Sequence, residues 1–174
     1  MTEKIIIAGA GGQGIMLLGK ILAESAMREN KHVTWLPSYG AEVRGGTAHC
    51  MVVISDEEIG SPYVTEADAL IVLNEPSLER FKKRIAKFGL LIANSSLIEN
   101  KTIVPGIYRP FTDIAENLGN IRIANMVALG CFLAHKKIVA AKSVVEAIGE
   151  MAPSGKKHLV EINIKALEEG MKLK

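Results

Sequence analysis

The run from Lys4 to Ala8, three isoleucines leading straight into Gly9-Ala10-Gly11-Gly12-Gln13-Gly14, constrains this chain more than any other stretch. An unbroken β-branched run suits a strand covered on both faces, as in a parallel sheet layered by helices, because successive side chains point to opposite sides. Glycines permit the sharp turn that follows, and a helix is expected from about Gln13 to Glu29. Ile15, Leu18, Leu22 and Ala26 fall on its apolar stripe, with Lys20, Glu24 and Arg28 four apart on a watery one. Asn30-Lys31 ends the helix, and His32 to Leu36 reads as a second parallel strand, making a right-handed βαβ unit.

The remaining chain continues the alternation. Thr47 to Ser55 reads as a strand, Asp56-Glu57-Glu58 as a turn, and Ile59 to Ser61 as a short return, which predicts an antiparallel ribbon. Ala69 to Leu73 and Leu90 to Ala93 read as buried strands around a helix of about Ser77 to Lys87. Pro105 and Pro110 mark an irregular or edge-strand stretch from Thr102 to Phe111. Asp113 to Leu118, Ala124 to Lys137 and Lys157 to Lys172 read as helices, and Ser143-Val-Val-Glu146 fits a capping box. With 174 residues and no linker or repeat, the expectation is one domain over 1–174. Its class is α/β and three-layer: a mostly parallel Rossmann-like sheet, an antiparallel ribbon and a helical C-terminal third.

Within Gly9–Gly14 lies G-x-G-x-x-G, placed between a buried strand and a helix, where it has mechanical meaning. Residues without Cβ let a backbone approach a phosphate, and the helix start offers unpaired N–H groups with a partial positive charge. A dinucleotide site also needs an acid ending the second strand, to hold a ribose hydroxyl. Here that strand ends Thr34-Trp35-Leu36-Pro37, and Glu42 comes only later. Tight strand–helix packing, a phosphate-bearing ligand and a dinucleotide all stay open on these residues.

A second glycine-rich stretch, Ser38-Tyr39-Gly40-Ala41-Glu42-Val43-Arg44-Gly45-Gly46, is expected at the carboxyl end of the second strand, the edge where open α/β sheets collect ligands. Arg44 offers a planar fork of donors for a carboxylate or phosphate. Gly45 and Gly46 let backbone come close, Glu42 could orient Arg44, and Tyr39 could stack or hydrogen-bond. An internal Glu42–Arg44 pair holding an irregular loop explains the same residues without any ligand.

Together, Gly-Ala-Gly-Gly-Gln-Gly and Ser-Tyr-Gly-Ala-Glu-Val-Arg-Gly-Gly-Thr resemble the gamma subunit of 2-oxoacid:ferredoxin oxidoreductases. The resemblance continues through Asp68, Asn94-Ser95-Ser96 and Asn125-Met126-Val127-Ala128-Leu129-Gly130, and is greatest to the 2-oxoglutarate or branched-chain type. It implies a multi-subunit enzyme that decarboxylates a 2-oxoacid on thiamine diphosphate, passes two electrons through iron–sulfur clusters to ferredoxin, and forms an acyl-CoA. It also implies alpha, beta and delta partners that hold thiamine diphosphate and the clusters, with this chain noncatalytic and inactive alone. The gamma-type domain would cover the active-site region and help shape the coenzyme A pocket. Carried over residue by residue, Gly11, Gly12, Gln13 and Gly14 fall on the first motif and Tyr39, Glu42, Arg44, Gly45 and Gly46 on the second. In keeping with that division of labour, the sequence has neither C-x-x-C nor a thiamine-type Gly-Asp-Gly segment.

Other features exclude more than they suggest. Twenty-one Lys and Arg against 19 Asp and Glu leave +2, which does not favour a polyanion binder. Cys50 and Cys131 cannot supply the four thiolates of a cluster. His49 and Cys50 are strand neighbours facing opposite sides, and Cys131 with His135 is too small a set for zinc. Ser95 and Ser96 read as turn residues, since no base accompanies them, and Lys82-Lys83-Arg84 as a solvated helix face. Met126 to Ala134, the longest apolar run, is too short to span a bilayer, so a cytoplasmic chain without membrane or nucleic-acid partners is expected, its isolated form open to homodimerisation. A stand-alone dinucleotide enzyme and a small-ligand module are the competing functions, with pyruvate or a branched-chain 2-oxoacid as alternative substrates.

Overall fold

The computed structural model describes residues 1–38, 47–99, 104–152 and 157–174. Its centre is β1 (Thr2–Ala10), where Ile5, Ile6, Ile7 and Ala8 are fully buried. Ile5 and Ile7 enter one apolar cluster and Ile6 and Ala8 the other, as a two-faced strand requires. Around it lie β2 (His32–Ser38), β3 (Thr47–Ser55), β4 (Ala67–Val72), β5 (Ile85–Asn94) and β6 (Ile107–Arg109), in the order β2-β3-β1-β4-β5-β6. β4, β5 and β6 follow β1 in parallel, while β3 runs antiparallel to both β1 and β2.

This order refines the expected βαβ unit. β2 points the same way as β1 but bonds only to β3, which is inserted between them with Ala10 opposite Thr47 and Ser38 opposite His49. Hence the antiparallel element is β3 against two partners, and Ile59 to Ser61 forms no strand. Five strands end at one edge, at Ala10, Ser38, Val72, Asn94 and Arg109, and β3 begins there at Thr47.

One face is thick. It carries α1 (Ile15–Arg28), α3 (Phe111–Asn117), α4 (Ala124–His135), α5 (Ala141–Met151) and α6 (Lys157–Met171). The expected stripe of α1 is buried, and Asn30 at φ 57° closes that helix, taking the left-handed form Asn tolerates. Arg28 bridges α1 to α5 through Glu146 (3.7 Å) and Glu150, and pairs with Glu24 (3.7 Å). α4 is buried along most of its length, and α4 meets α6 backbone to backbone. A Cβ on Gly130 would overlap the Leu167 carbonyl, and one on Gly170 the Val127 carbonyl.

The other face is thin. α2 (Glu75–Phe81) and the 3-10 turn Lys82–Arg84 are its helical cover, with Leu78, Phe81, Val64 and Ile98 packed on the sheet. Asn74 caps α2 by accepting from Ser77 N–H (3.2 Å). The expected helix to Lys87 stops earlier, because Ile85 already pairs with Ala67 and starts β5. The capping box at Ser143 is also corrected: α5 begins at Ala141 behind Ala140, so Ser143 sits inside the first turn and caps nothing. No described helix is long and apolar enough to cross a membrane.

Candidate functional site

At the carboxyl edge the glycine turn is built by three backbone conditions. Gly12 (φ 90°) and Gly14 (φ 71°) occupy the left-handed region, which favours glycine. Gln13 folds back so that its side-chain Oε1 accepts the Ala10 N–H (2.6 Å), and the Gln13 N–H reaches the Ala10 carbonyl (3.2 Å). A Cβ on Gly9 would stand 2.7 Å from Gln13 Oε1 and 2.7 Å from Ile15 Cδ1, so the brace would have to shift to admit one. The predicted residues therefore have separate jobs. Gln13 is the internal brace, Gly14 is the first residue of the helix cap, and Gly11 and Gly12 face outward with open space over Gly12.

α1 starts without a side-chain cap, so the N–H groups of Ile15, Met16 and Leu17 precede its first internal bond, Leu18 N–H to the Gly14 carbonyl (3.0 Å). A second helix start lies beside it. Asn125, in the first turn of α4 and 2% exposed, donates from Nδ2 to the Gly14 carbonyl (3.1 Å) and accepts the Met126 N–H (2.9 Å). A Cβ on Gly14 would overlap that amide. The amino ends of α1 and α4 thus converge at Gly14, and both carry the partial positive charge that attracts anions.

Asn94 does comparable work at the end of β5. Its Nδ2 donates to the Leu73 carbonyl (3.1 Å) and Thr112 Oγ1 (2.8 Å), while Oδ1 accepts the Thr112 N–H (3.3 Å). Ser96 Oγ accepts the Asp113 N–H (3.2 Å), and Ser95 N–H bonds the Arg109 carbonyl (2.9 Å). α3 has no cap of its own, so Asn94 and Ser96 satisfy its first amides from outside. These serines are turn residues, as expected from the sequence.

Tyr39, Glu42, Arg44, Gly45 and Gly46 lie outside the described residues. Their flanks do not: Ser38 and Thr47 both sit at the glycine-turn edge, and Arg80 of α2 donates to Thr47 Oγ1 (2.6 Å). Behind Thr47, His49 is 8% exposed, with its ring 4.8 Å from Phe81. Burial, then the nearby Arg80 and Arg84 cations, hold its pKa below the ordinary 6.5. Cys50 faces the other way and donates to the Ile15 carbonyl (3.6 Å).

The cysteines are core residues in their chemistry. Burial pushes the Cys50 thiol up to about 12 and the Cys131 thiol up to about 11, so neither is a ready thiolate. His135 Nδ1 meets the Cys131 carbonyl (2.8 Å) and not its sulfur. The described residues contain no group of three or more His, Cys, Asp or Glu placed to share a metal. An apolar depression of about 110 Å³ between α1, α5 and α6, lined by Leu17, Ile21, Ile148 and Val160, has little polar chemistry. What the edge offers is an exposed glycine turn, braced by Gln13 and Asn125, beside an uncapped helix start of the kind that attracts anionic groups. Sequence reasoning singled out the turn but not the brace from Asn125, whose contact spans 111 residues.

Residues 4–173 match the family model for pyruvate ferredoxin/flavodoxin oxidoreductase. Ketoisovalerate oxidoreductase subunit VorA of Methanothermobacter thermautotrophicus is 38% identical over 169 residues, 96% of this chain but 35% of VorA, so the chain spans about a third of that relative. The 2-oxoglutarate synthase subunit KorC of Methanocaldococcus jannaschii is 35% identical, over 98% of this chain and 92% of KorC. Among solved structures, the gamma subunit of a keto/oxoacid ferredoxin oxidoreductase from Geobacter sulfurreducens superposes with a TM-score of 0.82 at 31% identity, covering 98% of this chain and 96% of that one. With nearly its whole length matched, and a glycine turn, strand and helix layout that suits the match, the chain belongs to the pyruvate ferredoxin/flavodoxin oxidoreductase family.

Proposed function

We propose that this chain is the gamma component of a 2-oxoacid:ferredoxin oxidoreductase and that it forms the coenzyme A side of the active site. The observation that carries the reading is the convergence of the α1 and α4 amino ends on an open glycine turn, at the edge where the Arg44 segment leaves and rejoins the sheet. A phosphate of coenzyme A, or a partner carboxylate, is the class of group such a rim holds. Gly11, Gly12 and Gly14 supply close backbone approach, Gln13 braces the turn, and Arg44, flanked by Glu42 and Tyr39, adds the charged fork with Gly45 and Gly46 beside it.

Thiamine diphosphate and iron–sulfur clusters belong to partner alpha, beta and delta subunits on this reading. Two buried cysteines with raised pKa values do not offer a cluster the thiolates it takes. One domain over 1–174, a cytoplasmic setting, ferredoxin as the assembled enzyme's acceptor and inactivity of the lone chain complete the proposal. The substrate is 2-oxoglutarate. A branched-chain 2-oxoacid is the second reading, favoured by the 38% identity to a ketoisovalerate oxidoreductase subunit.

Reconstitution with the partner subunits tests both points. Arg44→Ala should raise the KM for coenzyme A about tenfold or more, the effect of losing one charged contact, while cluster content stays constant. An unchanged KM for coenzyme A removes the proposed role of the rim. Turnover of 2-oxoglutarate against 2-oxoisovalerate by the wild-type assembly decides the substrate.

A further inference from the structure

The glycine turn is served by backbone amides, yet a full positive charge is held one strand away from it. Arg80 of α2 reaches over the thin face to the carboxyl edge and donates from its guanidinium to Thr47 Oγ1 (2.6 Å). Thr47 is the cross-strand partner of Ala10, the last residue of β1, and neighbouring strands lie about 4.8 Å apart. Alternation along β1 puts Ala10 on the face of Ile6 and Ala8, which is the face that α2 covers. Ala10 in turn gives its N–H to Gln13 Oε1, the brace of the turn. Arg80 therefore stands on the thin-face side of the same edge at which α1 starts on the thick-face side.

Nothing acidic offsets Arg80 among the described residues. It is exposed, no carboxylate pairs with it, and its neighbour Glu79 is taken by Lys82 (2.6 Å). Its guanidinium carbon lies 5.4 Å from the Phe81 ring centroid, a contact that steadies the cation without neutralising it. More basic groups gather on the same ring. Arg84 lies 5.7 Å from its centroid, and the buried His49 packs 4.8 Å from it with an Nδ1 that has no partner among the described residues. Arg84 is spent on the Val64 and Thr65 carbonyls, whereas Thr47 engages only one arm of Arg80. A guanidinium fork fixed at one arm and open at the other is suited to an anion's oxygens.

Coenzyme A divides its charge in a way that matches this layout. Its bridging diphosphate suits the amides of a glycine turn and helix start. Its phosphomonoester carries roughly two negative charges at neutral pH and is better met by a guanidinium. We propose that Arg80, positioned by Thr47, binds the phosphomonoester of coenzyme A while the glycine turn holds the diphosphate. The proposal rests on the coenzyme A reading above and adds to it a specificity-determining side chain, on the other face of the sheet from α1.

Kinetics of the reconstituted enzyme with coenzyme A and with dephospho-coenzyme A, which lacks only that phosphate, test the assignment. Wild type should show a KM about tenfold or more lower for coenzyme A, the effect of one charge-assisted contact. Arg80→Ala should raise the KM for coenzyme A by about that factor and leave the KM for dephospho-coenzyme A unchanged, erasing the preference. Thr47→Val, which removes the hydroxyl but keeps the charge, should reduce the preference by less. An equal loss with both co-substrates, or a lowered melting temperature with the preference intact, would make Arg80 a general or structural contact and refute the assignment. A wild type that does not distinguish the two co-substrates refutes it as well, and leaves the rim itself to the Arg44→Ala test. An assembly that turns over without coenzyme A brings down both.

Discussion

The two faces of the sheet are held by different physics. On the thick face five helices bury a continuous apolar cluster, and at its tightest point α4 and α6 touch through Gly130 and Gly170 with no side chain between. On the thin face, among the described residues, one seven-residue helix, a 3-10 turn and a few loop residues cover the sheet. The thin layer also buries polar chemistry, with His49 under Phe81 between two arginines. The difference teaches that covering a sheet and specifying a fold are separate tasks. The thick face depends on shape at backbone resolution, and the thin face on a few anchors that charge can disturb.

The largest expected effect lies at the glycine contact. Gly130→Ala places a methyl group against the Leu167 carbonyl, which belongs to helix backbone and cannot rotate away. The helices must separate, and overpacking of this kind costs about 1–3 kcal/mol and occasionally more. Denaturant unfolding should show that loss. A variant as stable as wild type would mean that the thick face is not shape-limited.

A smaller, pH-dependent effect belongs to the thin face. The folded-state pKa of His49 is depressed, so the unfolded chain takes up this proton first as pH falls. His49 should therefore leave stability unaffected well above 6.5 and reduce it progressively as pH drops through 6.5. His49→Gln should flatten that dependence in melting curves between pH 5 and 8. An identical slope would place the sensitivity elsewhere and weaken the contrast between the faces. The smallest effect is at the thick face's own surface, where Glu150→Gln loosens the Arg28 contact and should cost only about 0.2–1 kcal/mol.

The same contrast explains what the sequence could reveal. β1, α1, β3, α4 and α6 were legible because long periodic or continuously apolar runs leave one sensible reading: β3 spans Thr47–Ser55 as expected. The insertion of β3 between β1 and β2 was not, because strand order is a long-range choice that local patterning leaves open. The helix expected to reach Lys87 gives way after the 3-10 turn Lys82–Arg84, because Ile85 pairs with Ala67 and opens β5. The capping box failed for a related reason, since α5 starts two residues before Ser143. At the site, the glycine turn was readable from spacing alone. The amide that pins it comes from Asn125, and no local pattern announces a contact 111 residues away. Arg44 and its neighbours lie outside the described residues, so their part rests on sequence.

The bare crossing of α4 and α6 has one more consequence. Gly170 near the C-terminal end of α6 meets α4 at Val127, two residues from Asn125, whose amide holds the Gly14 carbonyl. α6 is thus a wedge whose seating sets the aim of an amide in the first turn of its neighbour. Shortening the protein ahead of Gly170 would release that wedge, and the damage would surface at the first turn of the chain.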